Sequence, residues 1–197
     1  MSETYFDPAP TGRITTEQIT DTLRGVTLTV ETVSGVFSVK RIDRGTQVLI
    51  DYAHIEPNMV VLDLGCGYGP VGLFLKAAYP SLKVEGVDVN IRAVKYARKN
   101  AKKLGLDVHF HVSDAYTTVK TTYDCILLNP PHSAGKAFCS QLLTDAKKYL
   151  TDDGYLQIVA RKNKGGNELK KVMEQVYGNV EVLAKKSGFW VYSSQKK

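Results

Sequence analysis

Residues 60–72 read Val60-Val61-Leu62-Asp63-Leu64-Gly65-Cys66-Gly67-Tyr68-Gly69-Pro70-Val71-Gly72. The apolar run over 60–64 is too short for a core helix. Its β-branched start and glycine-dense end mark a strand buried on both faces. Glycines at 65, 67 and 69 leave the turn without Cβ atoms, so the backbone can approach a ligand and adopt positive φ. Pro70 suits the first position of a following helix, where no amide hydrogen is needed. The stretch is therefore strand, glycine turn, helix. A dinucleotide fingerprint would place its third glycine at position 70, which is proline, and no Gly-Lys-Ser/Thr follows to make a phosphate loop.

Outward from this unit, strands and helices alternate to the end of the chain, the pattern of a doubly wound α/β sheet. Strands are expected at 59–64, 83–88, 108–112, 124–129, 154–160, 180–185 and 189–193, and helices at about 70–79, 91–104, 135–150 and 167–177. The helix over 91–104 carries Ile91, Val94, Ala97, Ala101 and Leu104 on one face. The last two strands meet across Lys186-Ser187-Gly188 with no helix between them, whereas dinucleotide-binding domains usually keep a crossover there. The expected fold is a seven-stranded, mostly parallel sheet with a terminal antiparallel hairpin. Upstream, Val26–Val30 alternates, Ser34-Gly35 offers a turn and Val36–Val39 follows, which reads as a second hairpin; Gly45–Ile55 reads as a short helix. Residues 1–55 are thus expected as a hairpin/helix extension and 56–197 as one compact catalytic unit.

At 197 residues with 43% hydrophobic and 23% charged residues, the chain has the composition of an ordinary globular domain. No apolar run approaches the ~20 residues of a membrane helix. The acidic start, Met1-Ser2-Glu3-Thr4, lacks the layout of a secretion signal. Three scattered cysteines, at 66, 125 and 139, form neither a disulfide framework nor a zinc cluster. A cytoplasmic setting without metal or membrane is expected. The formal charge of +6, from 26 Lys plus Arg against 20 Asp plus Glu, favours a polyanionic partner.

Chemistry-bearing residues fall at the expected strand ends. Asp88 closes the second strand, about 20 residues after the glycine turn, where an acid can accept hydrogen bonds from ribose hydroxyls. Asp114 closes the third and can receive an adenine amino group. Asp63, within the first, can orient the glycine loop or face an ammonium group. Gly65, Cys66, Gly67, Gly69, Val89 and Ala115 complete this candidate cofactor wall. Each has a plainer reading: Asp88 as a helix cap, Asp114 as a turn residue, Cys66 as a small filler. Asn129-Pro130-Pro131-His132 ends the fourth strand. An amino nitrogen conjugated to a ring or carbonyl is a poor nucleophile. An Asn oxygen and a nearby backbone carbonyl that both accept from it would aim its lone pair, and two prolines would stiffen the loop holding them.

Residues Val61 to Gly69 resemble motif I of the class I S-adenosylmethionine-dependent methyltransferases, and Asp88 and Asp114 sit where that family's next cofactor motifs fall. Asn129-Pro130-Pro131-His132 is similar to the Asp/Asn-Pro-Pro-aromatic motif of the members that methylate exocyclic or amide nitrogens, with His in place of the usual Tyr or Phe. The stretches 35–38, 43–46 and 130–136 resemble the catalytic domain of the RsmC-like ribosomal RNA guanine-N2 methyltransferases, archaeal stand-alone relatives above all. The likeness runs from about residue 20 onward; the bacterial ribosomal enzymes carry a further amino-terminal domain.

The resemblance implies a Rossmann-like methyltransferase fold and S-adenosylmethionine as donor, with S-adenosylhomocysteine as product. It implies Asn129, Pro130, Pro131 and His132 as the catalytic loop, and Phe37 and Thr46 closing over cofactor or target from the amino-terminal hairpin. The expected substrate is structured RNA, guanine N2 of ribosomal RNA first. Cytosine N4, adenine N6, a transfer RNA or the glutamine amide of a translation factor remain open, as does the choice between monomer and dimer. Arg161, Lys162 and Lys164, after the fifth strand, are the preferred phosphate contacts. The cations of 91–104, from Arg92 to Lys103, read as a solvated face, and His109 and His111 as surface or packing residues.

Overall fold

A computed structural model describes residues 8–197, the side chain of His132 excepted. The chain runs β1 (Thr16–Leu23), β2 (Val26–Val33), α1 (Arg44–Tyr52), β3 (Val60–Leu64), α2 (Pro70–Ala78), β4 (Lys83–Asp88), α3 (Ile91–Leu104), β5 (Val108–Val112) and β6 (Tyr123–Leu128). It continues through α4 (Lys136–Ala146), β7 (Leu150–Arg161), α5 (Asn167–Tyr177), β8 (Glu181–Lys186) and β9 (Phe189–Gln195). Seven strands form one sheet in the order β5-β4-β3-β6-β7-β9-β8, while β1 and β2 pair separately. Strands β3 to β7 are parallel and β9 is antiparallel to both neighbours. The sheet and its closing hairpin match the expectation from sequence.

Alternation along the strands builds two cores. Val61, Cys125, Leu127 and Val159 face α1, α2, α3 and the β1–β2 hairpin; Leu62, Leu64, Ile126, Leu128 and Ile158 face α4 and α5. The strand order reverses between β3 and β6, which pair in parallel register with Leu64 opposite Leu128. The chain then leaves both strands at the same end of the sheet, where open α/β sheets bind ligands. The glycine turn and the Asn129 loop are therefore neighbours.

The amino-terminal hairpin differs from expectation. Its strands are Thr16–Leu23 and Val26–Val33, joined by Arg24 and Gly25 at φ 51° and 78°, a turn whose backbone twist suits a tight hairpin. Residues 36–39 are not a strand: Gly35 and Ser38 both have positive φ, and the Ser38 hydroxyl donates to the Arg41 carbonyl at 2.6 Å. Strand β1 hides from a periodicity search because its apolar residues are sparse. Its outer face is held by threonine pairs, Thr20 with Thr29 and Thr22 with Thr27, each at 2.8 Å.

Smaller differences follow the same logic. Ile91, expected on the buried face of α3, is 53% exposed, while Asn100 is buried on that helix. Arg92 is not a solvated cation; its guanidinium donates to the carbonyls of Ser34, Pro10 and Gly12 and ties down the chain ahead of β1. Helix α4 ends at Ala146 rather than 150, because Leu150 already pairs with Tyr123 at the start of β7.

Candidate functional site

The glycine turn is shaped by its neighbours. The Gly65 and Cys66 amides donate to the Val87 carbonyl at 2.8 and 2.9 Å, folding the turn over the end of β4. Gly65 and Gly67 have φ of 75° and 56°, and a Cβ on either would meet nothing within 4 Å. The backbone there is bare towards an open pocket. Gly69 has another purpose. It lies outside that pocket, ends the turn at φ 93°, and a Cβ on it would stand 2.9 Å from the Phe110 ring and 3.2 Å from Ala97. It lets the turn pack on α3 and β5.

The pocket has a volume of about 550 Å³ and spans the ends of β3, β4, β5 and β6. Asp88 closes β4 with its carboxylate accepting from the Gly67 amide at 2.8 Å and the Asn90 amide at 2.9 Å. It thus holds the glycine turn and caps towards α3 while its oxygens border the pocket. Burial raises its pKa against the pull of these amides. Asp63 points to the α2 side by strand alternation, is 3% exposed, and accepts from the Gly72 amide at 3.2 Å. Desolvation, opposed by that hydrogen bond and reinforced by the negative Asp88, lifts its pKa to about 7. Asp114 is exposed on the pocket wall beside Ala115 and makes no side-chain hydrogen bond among the described residues. Cys66 is buried, with its thiol pushed well up by burial and the two aspartates, so it is a filler and not a nucleophile.

The facing wall is Asn129, Pro130 and Pro131. The Asn129 Nδ2 donates to Thr46 Oγ1 at 3.0 Å and to Asp43 Oδ2 at 3.3 Å. A carboxylate only accepts, so this contact fixes which end of the amide is the nitrogen. Oδ1 has no protein partner among the described residues. Asp43 is itself held as the cap of α1, where Oδ2 accepts from the amides of Gly45 at 2.8 Å and Thr46 at 3.2 Å. The Pro131 carbonyl is taken by the Ala134 amide at 2.9 Å and the Cys139 thiol at 3.4 Å. That of Pro130 has no protein partner among the described residues.

The pocket gathers Phe37, Thr46, Asp63, Gly65, Cys66 and Gly67. Asp88, Val89, Asp114, Ala115 and Asn129 face the same cavity. Phe37 and Thr46 reach it from the loop after β2 and from the first turn of α1, not from the hairpin itself. The His132 side chain lies outside the described residues. Arg161 and Lys164 stand on the rim; Lys162 does not, being turned towards Trp190 with its ammonium 4.8 Å from the ring centroid. Among the wall residues that a reading of the sequence misses are Asp43 and Phe138. Asp43 is legible in principle as an acidic residue ahead of a helix start. Phe138, 41% exposed in the first turn of α4, carries no sequence signal of its own.

The methyltransferase small domain family model matches residues 27–193. The protein YbxB of Bacillus subtilis (strain 168) is 34% identical over 200 residues, covering the full length of both chains. Ribosomal RNA small subunit methyltransferase C of Photobacterium profundum is 35% identical over 178 residues, 87% of this chain and 51% of its own. This chain spans about half the length of the ribosomal RNA methyltransferases it matches. Among solved structures, the Thermus thermophilus 16S rRNA N2 G1207 methyltransferase (RsmC), in complex with AdoMet and guanosine, superposes with a TM-score of 0.80 at 22% identity, over 95% of this chain and 52% of that one.

Proposed function

The chain belongs to the methyltransferase small domain family, and from that premise we propose that it transfers a methyl group from S-adenosylmethionine to an exocyclic amino group of a base in ribosomal RNA, guanine N2 foremost. The observation that carries this reading is the Asn129 amide. Its nitrogen is pinned by Asp43 and Thr46, and its oxygen is left facing a pocket whose other wall is the glycine turn. With the Pro130 carbonyl as a second acceptor it matches the two protons of an NH2 group, whereas a hydroxyl has one proton to give and a carbon target none.

The residues present fit the proposed donor. Bare backbone at Gly65 and Gly67 admits a close-lying ligand. Asp88 has lone pairs left for ribose hydroxyls, and Asp114 has its whole carboxylate left for an adenine amino group. Asp63 and Asp88 give the floor a negative potential suited to a cationic ligand. When bound, S-adenosylmethionine supplies a methyl group already activated by the positive sulfonium.

The protein's own work is therefore positioning and charge complementarity. Asn129 Oδ1 and the Pro130 carbonyl accept the two amino protons of the target and draw the nitrogen out of conjugation, so its lone pair faces the donor. No strong base is required, because a methylated aryl ammonium is acidic enough to lose its proton to water. Phe37, 43% exposed at the mouth, offers an apolar surface to a flat base. Arg161, Lys162 and Lys164 are the proposed phosphate contacts.

The test is labelled methyl transfer to ribosomal RNA, followed by nucleoside mass spectrometry. N2-methylguanosine is expected. Asn129→Ala should lower kcat about a hundredfold or more while calorimetry still detects donor binding. Asp88→Ala should weaken the donor by about 1–3 kcal/mol. Label appearing in protein rather than RNA would overturn the substrate, and no transfer to either would overturn the activity.

A further inference from the structure

The closing hairpin is more than a topological marker, because the structure gives it charge chemistry. Strand β7 runs parallel to β6, so its end at Arg161 and the β8–β9 turn lie at the pocket end of the sheet. Phe189 opens β9 opposite Arg161 and lines the pocket; the Arg161 guanidinium sits 4.8 Å from its ring centroid. Gly45 makes room for it, since a Cβ there would stand 3.0 Å from the same ring. On this side of the sheet Lys186 lies 5.7 Å from the Tyr52 ring, and Arg44 donates to the Ser187 hydroxyl at 3.1 Å. On the other side Trp190 gathers two ammonium groups, Lys185 at 4.5 Å and Lys162 at 4.8 Å.

Cations thus stand on both faces of one turn. Arg44, Arg161, Lys162, Lys164, Lys185 and Lys186 are all exposed, and none makes an ion pair among the described residues. Lys99, Lys148, Lys170 and Lys196 each have a carboxylate within 4 Å, and exposed lysines that share the unpaired state, such as Lys95, Lys102 and Lys103 of α3, do not line the pocket. Aromatic rings hold the hairpin cations in place without neutralising them. An array of unneutralised charge, continuous with a pocket that receives a base, complements a phosphodiester chain.

We infer that the tip of the β8–β9 hairpin, with Arg44 at the start of α1, is the docking edge for the RNA backbone flanking the target nucleotide. This rests on the RNA substrate proposed above and extends recognition to residues outside the pocket. Arg44 and Lys186 neutralise phosphates on one flank of the extruded nucleotide, and Lys162 and Lys185 beside Trp190 do so behind the hairpin.

The chain has a single tryptophan, so Trp190 emission reports on this edge directly. The probe is a twelve-nucleotide single-stranded RNA with a central guanosine, titrated into the full chain at several salt concentrations. The wild type should show altered Trp190 emission on binding. The double substitution Lys185→Ala, Lys186→Ala should weaken binding about tenfold. It should also flatten the slope of log K against log salt by about 1.4, at about 0.7 for each phosphate no longer neutralised. Donor affinity, read by calorimetry, serves as the folding control and should not move. RNA binding with silent Trp190 and an unchanged slope in the double variant would overturn this docking edge while leaving the proposed reaction intact. Failure of the wild type to bind or methylate RNA would overturn the substrate reading, and the docking edge with it.

Discussion

Asp43 does two things with one oxygen: it caps α1 and it pins the Asn129 amide. Asp43→Ala should therefore show a split effect. Loss of the cap costs about 1 kcal/mol of stability. A freed Asn129 amide, able to rotate its nitrogen into the pocket, should lower kcat at least tenfold with the donor Kd within twofold. Equal losses in stability and donor binding, with kcat intact, would make Asp43 a cap and nothing more. Asp63 offers a separate test through pH. Its pKa of about 7 lies above the ordinary aspartate value, so the folded protein bears a growing penalty as pH rises from about 4 to 7, constant beyond that. Asp63→Asn removes that penalty. The ligand-free variant should melt several degrees above wild type at pH 8, with the gap narrowing towards pH 5, yet bind the cationic donor more weakly. A gap independent of pH would mean that the carboxyl titrates normally.

At the scale of elements, the legible parts are those whose local signal and tertiary role coincide. Strand β3 is apolar because both faces are covered, and the three glycines mark a turn that must be bare or close-packed, so residues 60–72 can be read without a structure. Strand β1 is not legible, because its threonine pairs hydrogen-bond along an exposed face and leave only Ile19 and Leu23 buried. Its partner β2 is fastened by Asn100, which looks like a polar interruption in the α3 pattern. Asn100 Oδ1 accepts from the Glu31 amide at 2.8 Å, while Nδ2 donates to the carbonyls of Glu31 at 2.9 Å and Tyr68 at 3.1 Å. One buried amide thus joins hairpin, helix and glycine turn. Asn100→Ala strands these groups and should cost about 2–4 kcal/mol, read as a lower denaturant midpoint at unchanged m-value. A loss under about 0.5 kcal/mol would mean that water replaces the amide.

Over the whole molecule, charge is sorted by depth. Asp43, Asp63, Asp88 and Asp114 line the pocket, while the net charge of +6 is carried outside it, in part by the unpaired cations at its rim. Net charge alone points to a polyanion, but a sequence cannot show that the two signs are separated by a pocket wall; that depends on which strand ends the topology brings together. The separation predicts two different responses to salt. Contacts to RNA phosphates are solvent-facing and release counterions, so four of them would raise the RNA KM roughly fiftyfold between about 50 and 200 mM monovalent salt. Of the aspartates facing the donor, Asp63 is buried and Asp88 half-buried, and both are screened far less than a solvent-facing phosphate contact. The donor Kd should therefore change by less than about twofold over the same range, with kcat at saturating RNA flat. Parallel losses in both affinities would mean that floor and rim share one solvent-exposed field, and that the cavity does not shelter its charges.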